Sequence, residues 1–254
     1  MKARILGCGT STGVPKIGNE WGLCDPNEPR NMRLRSSILV ESGGEGMLVD
    51  CGPDLRQQLL AAAVGRFDGV IVTHAHGDHC HGIDELRPVA QAIGEAVPLY
   101  ARSDVLEELR LRFAYAFGQS SLYRPIVEAR ELEDELKFGR VKTSFADQPH
   151  GTLSSLGIRF DENAYSLGYA IDFSDLTDDM AALYQGVDVW IADCLSRKPH
   201  PTHMHLDGVV AAARDLGVGA LYLVHMGNGL DYRQLCAELP DWAAPAYDGL
   251  EIAS

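Results

Sequence analysis

Apolar positions along the chain follow two periods. Short β-branched or apolar runs predict strands over 3–6, 37–40, 47–49, 69–73, 99–101, 141–145, 168–171, 187–192 and 221–224. Apolar residues recurring at three and four predict helices over 53–63, 103–113, 178–185, 206–216 and 232–239. Strands come first in meander-like sets and then alternate with helices, a layout expected of an α/β chain with two mixed sheets and helices outside. No repeat, low-complexity tract or long Pro/Gly/Ser linker divides the sequence, so a single domain over 1–254 is expected. The longest irregular stretch, 12–35, carries Trp21, Arg30, Arg33 and Arg35. A loop of that length in a folded domain is a candidate pocket rim, and a plain surface excursion with solvated arginines is the alternative.

Composition narrows the partners. With 46% apolar and 23% charged residues the chain can build a full core. Its formal charge of −14 has the wrong sign for holding long nucleic acid through counterion release. No run approaches the ~18–20 apolar residues that cross a bilayer, and the first residues reach glycine too soon for a secretory segment, so a cytoplasmic protein with no membrane partner is expected. The six cysteines include no CxxC or CxC pair and read as small buried hydrophobes.

The chemistry concentrates in VIVTHAHGDHCHG, where an apolar run ends in His74, His76, Asp78, His79 and His81. His74 and His76 are two apart and project to one side of an extended segment, so both imidazoles can reach one metal ion. Gly77 lets the chain turn so that Asp78 and His79 face a neighbouring ion. So many polar rings at a strand end would otherwise each need a buried partner. Further ligands must come from other strand ends, and His150, Asp172 and His225 each lie just beyond one.

On these residues the chain resembles the metallo-β-lactamase superfamily of metallohydrolases, whose HxHxDH signature is matched by His74, His76, Asp78 and His79. The resemblance implies an αββα sandwich of two mixed sheets flanked by helices. It also implies two divalent ions, Zn²⁺ or Mn²⁺, one on His74, His76 and His150, the other on Asp78, His79 and His225, with Asp172 as the bridge. Asp175 is the rival bridge, disfavoured because Asp172 terminates the strand GYAID. Within the superfamily the sequence is most similar to the phosphoribosyl cyclic phosphodiesterases of phosphonate breakdown, through GCGTSTGVP, LVDCGPD, VDVWIADC, PHPTHMHLD and the closing YDG. Those relatives carry a further structural zinc on an early cysteine cluster and a late histidine. Here only Cys24 and Asn228 stand in the corresponding places, so that zinc is expected to be absent.

The activity implied is hydrolysis of a small cyclic or linear phosphodiester, a ribose cyclic phosphate or a nucleotide, by attack of a metal-bound hydroxide. His203 matches the family's proton donor to the leaving group, with His205 as the alternative and Asp78 placed beside the reacting centre. Asp50 and Asp193 are placed to orient metal-bound imidazoles or simply to cap strand ends. Arg33 and Arg35, with Arg30, are candidate contacts to a phosphate oxygen. Glycines in GCGTSTG suit a tight turn beside the metals better than a nucleotide cradle, since no P-loop lysine follows. Competing readings are transfer-RNA 3′-processing, thioester or lactone hydrolysis, and a metal-bearing binding module without chemistry. Superfamily relatives are often dimers, so a homodimer is a further expectation.

Overall fold

The apolar runs pair into two seven-stranded sheets in the computed structural model, which describes residues 1–118 and 124–254. In chain order the first half comprises β1 (Lys2–Gly7), β2 (Ser37–Ser42), β3 (Glu45–Val49), α1 (Leu55–Ala61), β4 (Gly69–Ile71), α2 (Gly77–Cys80), α3 (Arg87–Ile93), β5 (Val97–Ala101), α4 (Ser103–Arg112) and β6 (Val127–Glu131). The second half comprises β7 (Glu135–Phe138), β8 (Val141–His150), β9 (Leu153–Glu162), β10 (Tyr165–Ala170), α5 (Asp178–Tyr184), β11 (Val189–Asp193), α6 (Leu206–Leu216), β12 (Ala220–Val224), α7 (Tyr232–Glu238), β13 (Ala243–Pro245) and β14 (Glu251–Ala253).

The sheets run β14-β1-β2-β3-β4-β5-β6 and β13-β12-β11-β10-β9-β8-β7. Each joins an antiparallel meander to a parallel half: β1 to β3 against β3 to β6, and β7 to β10 against β10 to β13. This is the two-sheet αββα arrangement.

Side-chain alternation on the strands explains why there are two cores. In β2 and β3, Ile38, Val40, Met47 and Val49 point between the sheets, where they meet Ile158, Phe160 and Tyr169 in one cluster. Their neighbours Leu39 and Leu48 point outward, into a second cluster with Leu55 and Leu59 of α1 and Leu106 and Leu109 of α4. Strands buried on both faces read as continuous apolar runs, which is why these were visible in the sequence. On the far side α6 lays Val209, Ala213 and Leu216 on the second sheet, and α5 does so with Met180 and Tyr184.

Several elements differ from expectation. The strand expected over 141–145 continues to His150, because Ala146, Gln148 and His150 keep the alternating buried positions despite the polar side chain and Pro149. Its hairpin partner β9 was not anticipated: Ser154, Ser155, Arg159 and Asp161 interrupt the apolar pattern. Also unpredicted are β6, β7, β13, β14 and the short helices α2 and α3. Among the described residues no helix is long and apolar enough to cross a membrane.

Candidate metal centre

Parallel strands deliver their C-terminal ends to one edge of the sandwich, and the polar residues that follow them converge there. Asp50 follows β3, His74 lies just past β4, Asp172 follows β10 and His225 follows β12, while His150 closes β8. Asp50, Asp172 and His225 take left-handed backbone angles, φ 62°, 53° and 56°. Non-glycine residues rarely adopt this conformation, and here it turns Asp172 and His225 off their strands toward the cleft and Asp50 toward Thr73 and His79 beneath it. The Asp172 turn is held from below: Ser155 Oγ lies 2.8 and 2.7 Å from the carbonyl oxygens of Ile171 and Asp172, and Gln148 Nε2 donates to Ile171 O at 2.9 Å. Gly52, in the LVDCGPD segment, lets the backbone of Asp78 pass: a Cβ there would stand 2.0 Å from Asp78 O.

Two donor sets result, overlapped by a third grouping of His150, Asp172 and His203. His74, His76 and His150 each offer a ring nitrogen to one point, and Asp78, His79, Asp172 and His225 offer theirs to another, the atoms of each set lying within 4.8 Å of one another. Asp172 faces both sets: Oδ2 lies 2.7 Å from His79 Nε2 and 3.4 Å from His74 Nε2, and Oδ1 lies 3.1 Å from His225 Nε2. Asp175 is exposed, hydrogen-bonds the next amide and belongs to neither set.

The second ring nitrogens of His74, His79, His150 and His225 are already engaged, which fixes the direction of the free ones. His74 Nδ1 meets Thr73 Oγ1 at 3.1 Å, His79 Nδ1 meets Asp50 Oδ2 at 2.7 Å, His150 Nδ1 meets Thr202 O at 2.8 Å and His225 Nδ1 meets Ser36 Oγ at 3.3 Å. What is left is a knot of lone pairs: His76 Nδ1 stands 3.0 Å from His74 Nε2 and 3.3 Å from His150 Nε2. Burial, followed by the neighbouring imidazoles, holds His74 well below the ordinary histidine range, against the pull of Asp172. Burial also lowers His150. His79 Nε2 and Asp172 Oδ1 are buried without a well-formed hydrogen bond. Imidazole nitrogens aimed at one another beside an orphaned carboxylate oxygen fit divalent cations and little else.

Asp50 serves both sets. Besides His79 it accepts from Thr73 N at 2.8 Å and Thr73 Oγ1 at 3.0 Å, and that hydroxyl in turn accepts from His74. Asp50→Asn is therefore expected to weaken metal binding by about 10–100-fold with the fold intact, read by chelator competition. Unchanged affinity would remove Asp50 from this role.

A cleft of about 310 Å³ opens over the donor sets, lined also by Ser11, Gly151, Thr152, Leu153, Thr202 and His203. Gly151, with φ 64°, makes the β8–β9 turn on one wall, and Ser11 comes from the tight Thr10–Gly13 turn on the other. His203 Nδ1 lies 2.9 Å from Asp193 Oδ2 and 3.1 Å from Asp172 Oδ1. Burial alone would depress this imidazole, but the two carboxylates beside its Nδ1 outweigh it and push it up to about 10. Asp193 thus orients His203 instead of a metal-facing imidazole. His205 precedes α6 without a side-chain capping hydrogen bond and does not line the cleft.

The arginines are placed differently from expectation. Arg33 is buried and donates to Gly227 O and Leu230 O, Arg35 pairs with Asp54 at 3.0 Å, and Arg30 lies over the rings of Tyr232 and Tyr247. None of the three lines the cleft, so Arg33 and Arg35 are not phosphate contacts in this structure. Thr73, Ser36, Ser155 and the Thr202 carbonyl were missed in the sequence, since hydroxyls and carbonyls carry no spacing signature.

Comparison with known proteins agrees with this geometry. The model of the Beta-lactamase superfamily domain matches residues 46–226. A solved structure described as a new diphosphatase from the PhnP family superposes with a TM-score of 0.90 at 33% identity, covering 99% of this chain and 97% of that one. Zn²⁺-bound PqqB from Methylobacterium extorquens has a TM-score of 0.83 over the full length of both chains, at 19% identity a likeness of fold alone. Among curated proteins, an octanoyltransferase of Porphyromonas gingivalis is 31% identical across 99% of this chain and 51% of its own length. A ribonuclease Z of Archaeoglobus fulgidus is 30% identical across 69% of this chain and 49% of its own. The chain spans about half the length of these two curated relatives.

Proposed function

Given that the chain belongs to the metallo-β-lactamase superfamily, close to the PhnP family, and is a hydrolytic enzyme that uses divalent metal, we propose that it hydrolyses a small cyclic or linear phosphodiester with two ions, Zn²⁺ or Mn²⁺. The observation that carries this reading is His203, a ring fixed by Asp193 at 2.9 Å on the wall of the cleft that opens over the donor sets. Paired divalent ions supply a water nucleophile ionised at neutral pH and draw charge from phosphoryl oxygens. His74, His76 and His150 would hold one ion and Asp78, His79 and His225 the other, with the Asp172 carboxylate facing both sets. With Nδ1 tied to Asp193, His203 presents Nε2–H as the proton source for the leaving alkoxide. A thioester expels a thiolate, which needs that proton less, so the arrangement favours a poor alkoxide leaving group.

A cleft of about 310 Å³ sits at the small end of ligand sites, and the chain's −14 charge opposes a long polyanion. Both favour a substrate of sugar-phosphate or nucleotide size. The test is a panel after Mn²⁺ or Zn²⁺ loading: bis(p-nitrophenyl) phosphate, its monoester, a diphosphate diester, an acyl thioester, a lactone and a precursor transfer RNA. The diester is expected to be cleaved with a kcat/KM about 100-fold or more above the monoester, thioester and lactone, a gap of the size that mismatched reacting groups produce. Faster turnover of the thioester or the precursor RNA overturns the proposal.

A further inference from the structure

The buried arginine rejected as a phosphate contact has a position that its chemistry must explain. Arg33 is 1% exposed, yet every group it donates to is neutral. Nη1 reaches Gly227 O at 3.1 Å and the Cys24 thiol at 3.9 Å, and Nη2 reaches Leu230 O at 2.7 Å and Asn31 Oδ1 at 3.3 Å. Nε is buried with no partner. Burial raises the Cys24 thiol despite the adjacent guanidinium, so it provides no counter-charge. The Asp248 carboxyl feels this charge but accepts no hydrogen bond from it, and a buried cation whose donors are spent on neutral acceptors is costly, so its retention asks what it secures.

It secures the turn that follows His225. Gly227 and Leu230 are the ends of that turn, joined by Leu230 N to Gly227 O at 3.3 Å, and the fork of Arg33 grips both carbonyls. The same short segment carries Ser36, whose hydroxyl meets His225 Nδ1. Other bonds tie the early loop to this turn: Leu23 N donates to Asn228 O at 2.8 Å, and Asn31 Oδ1 accepts from Tyr232 N at 2.8 Å. His225 itself stands in a left-handed conformation that its surroundings must impose.

We propose that Arg33 is a positioning residue that clamps the 226–230 turn and thereby sets His225 for the ion it shares with Asp78, His79 and Asp172. The His74, His76 and His150 set does not depend on it. This rests on the reading of His225 as a metal ligand and is independent of which bond the enzyme cleaves. Lysine keeps the buried charge but cannot fork two carbonyls.

The experiment is metal titration of wild type, Arg33→Lys and Arg33→Ala, with amide hydrogen exchange on the metal-free proteins. Wild type is expected to bind two ions. Both variants should keep the first affinity and bind the second at least about tenfold more weakly, the scale of lost outer support at metal sites. In Arg33→Ala, millimolar guanidinium chloride should restore the second affinity by filling the vacated site, while sodium chloride does not. Exchange at Met226 and Leu230 should rise in Arg33→Lys, with Thr73 unchanged as an internal control on the fold. Loss of both ions in step, no loss of either, one ion in wild type, or unaltered exchange at Met226 and Leu230 would each overturn the clamp. If wild type binds two ions, the variants behave as expected and no diester is cleaved, the clamp stands and the phosphodiesterase reading falls.

Discussion

Asp172→Ala is expected to abolish diester hydrolysis, with a fall of about a thousandfold or more, the scale on which removing an electrostatic centre of a reacting site acts. The reason lies in the carboxylate's reach. Its Oδ2 lies 2.7 and 3.4 Å from His79 and His74 and its Oδ1 3.1 Å from His225, so one side chain touches both donor sets. Burial works against its ionisation, yet the close imidazoles of His225, His79 and His203 hold Asp172 well below the usual carboxylate range. It is thus a fixed negative charge at the junction. Two cations held on these neighbouring sets would then repel one another without a shared negative charge between them, so metal content should fall below two per chain as well. Asp172→Asn, which keeps shape and one oxygen while losing the charge, should behave like the alanine variant in metal content. Should Asp172→Asn retain two ions and most of the activity, Asp172 is not the bridge and the dinuclear reading fails.

How much of this was readable beforehand follows from what kind of signal each group leaves. His74, His76, Asp78 and His79 sit within six positions at the end of an apolar run, and a ligand cluster made by one segment is visible in one segment. His150, Asp172 and His225 were readable for a subtler reason: each is a polar residue directly after strand-like sequence, and the left-handed turns at Asp172 and His225 are how the chain converts that position into a side chain facing inward. Asp50 follows the same rule and was left undecided between a cap and an orienting role, a choice that only the 2.7 Å contact with His79 settles. The groups that hold the imidazoles in place were invisible because they are ordinary. Thr73 and Ser36 are hydroxyls among many, and the Thr202 carbonyl belongs to every residue type. Arg33 misled for the opposite reason. A charged residue in an irregular loop is most often solvated or ligand-facing, whereas here the loop folds over it and its fork is spent on main-chain carbonyls. The fold erred in a related way: β9 and the end of β8 are buried strands whose polar members, Ser155 and Gln148, are inward-facing supports of the Asp172 turn, so they broke the apolar pattern where the site needed them.

His203→Ala is expected to separate substrates by leaving group. Esters that expel an alkoxide should lose about 10²–10⁴ in kcat, the usual worth of a positioned general acid, and bis(p-nitrophenyl) phosphate should lose little, because p-nitrophenolate departs without a proton. An equal loss for both would make His203 a binding group and remove it as the donor. Asp193→Asn should produce the same split in weaker form, since its carboxylate holds His203 Nδ1 at 2.9 Å and sustains the charge on the ring. The metal-free protein gives an independent readout. There the two carboxylates raise His203 to about 10, above the ~6.5 of an unperturbed imidazole, so the folded state binds the proton more tightly than the unfolded one. The stabilisation is therefore complete below the unfolded value and drains away as pH rises from about 6.5 toward 10. In wild type the ring proton resonances of His203 should remain those of an imidazolium at pH 8, a value between those limits. In Asp193→Asn they should titrate at lower pH, and the alkaline decline in metal-free stability should flatten in His203→Gln. A neutral His203 in metal-free wild type at that pH would show that Asp193 and Asp172 do not hold the proton, and the leaving group would have to be protonated from elsewhere.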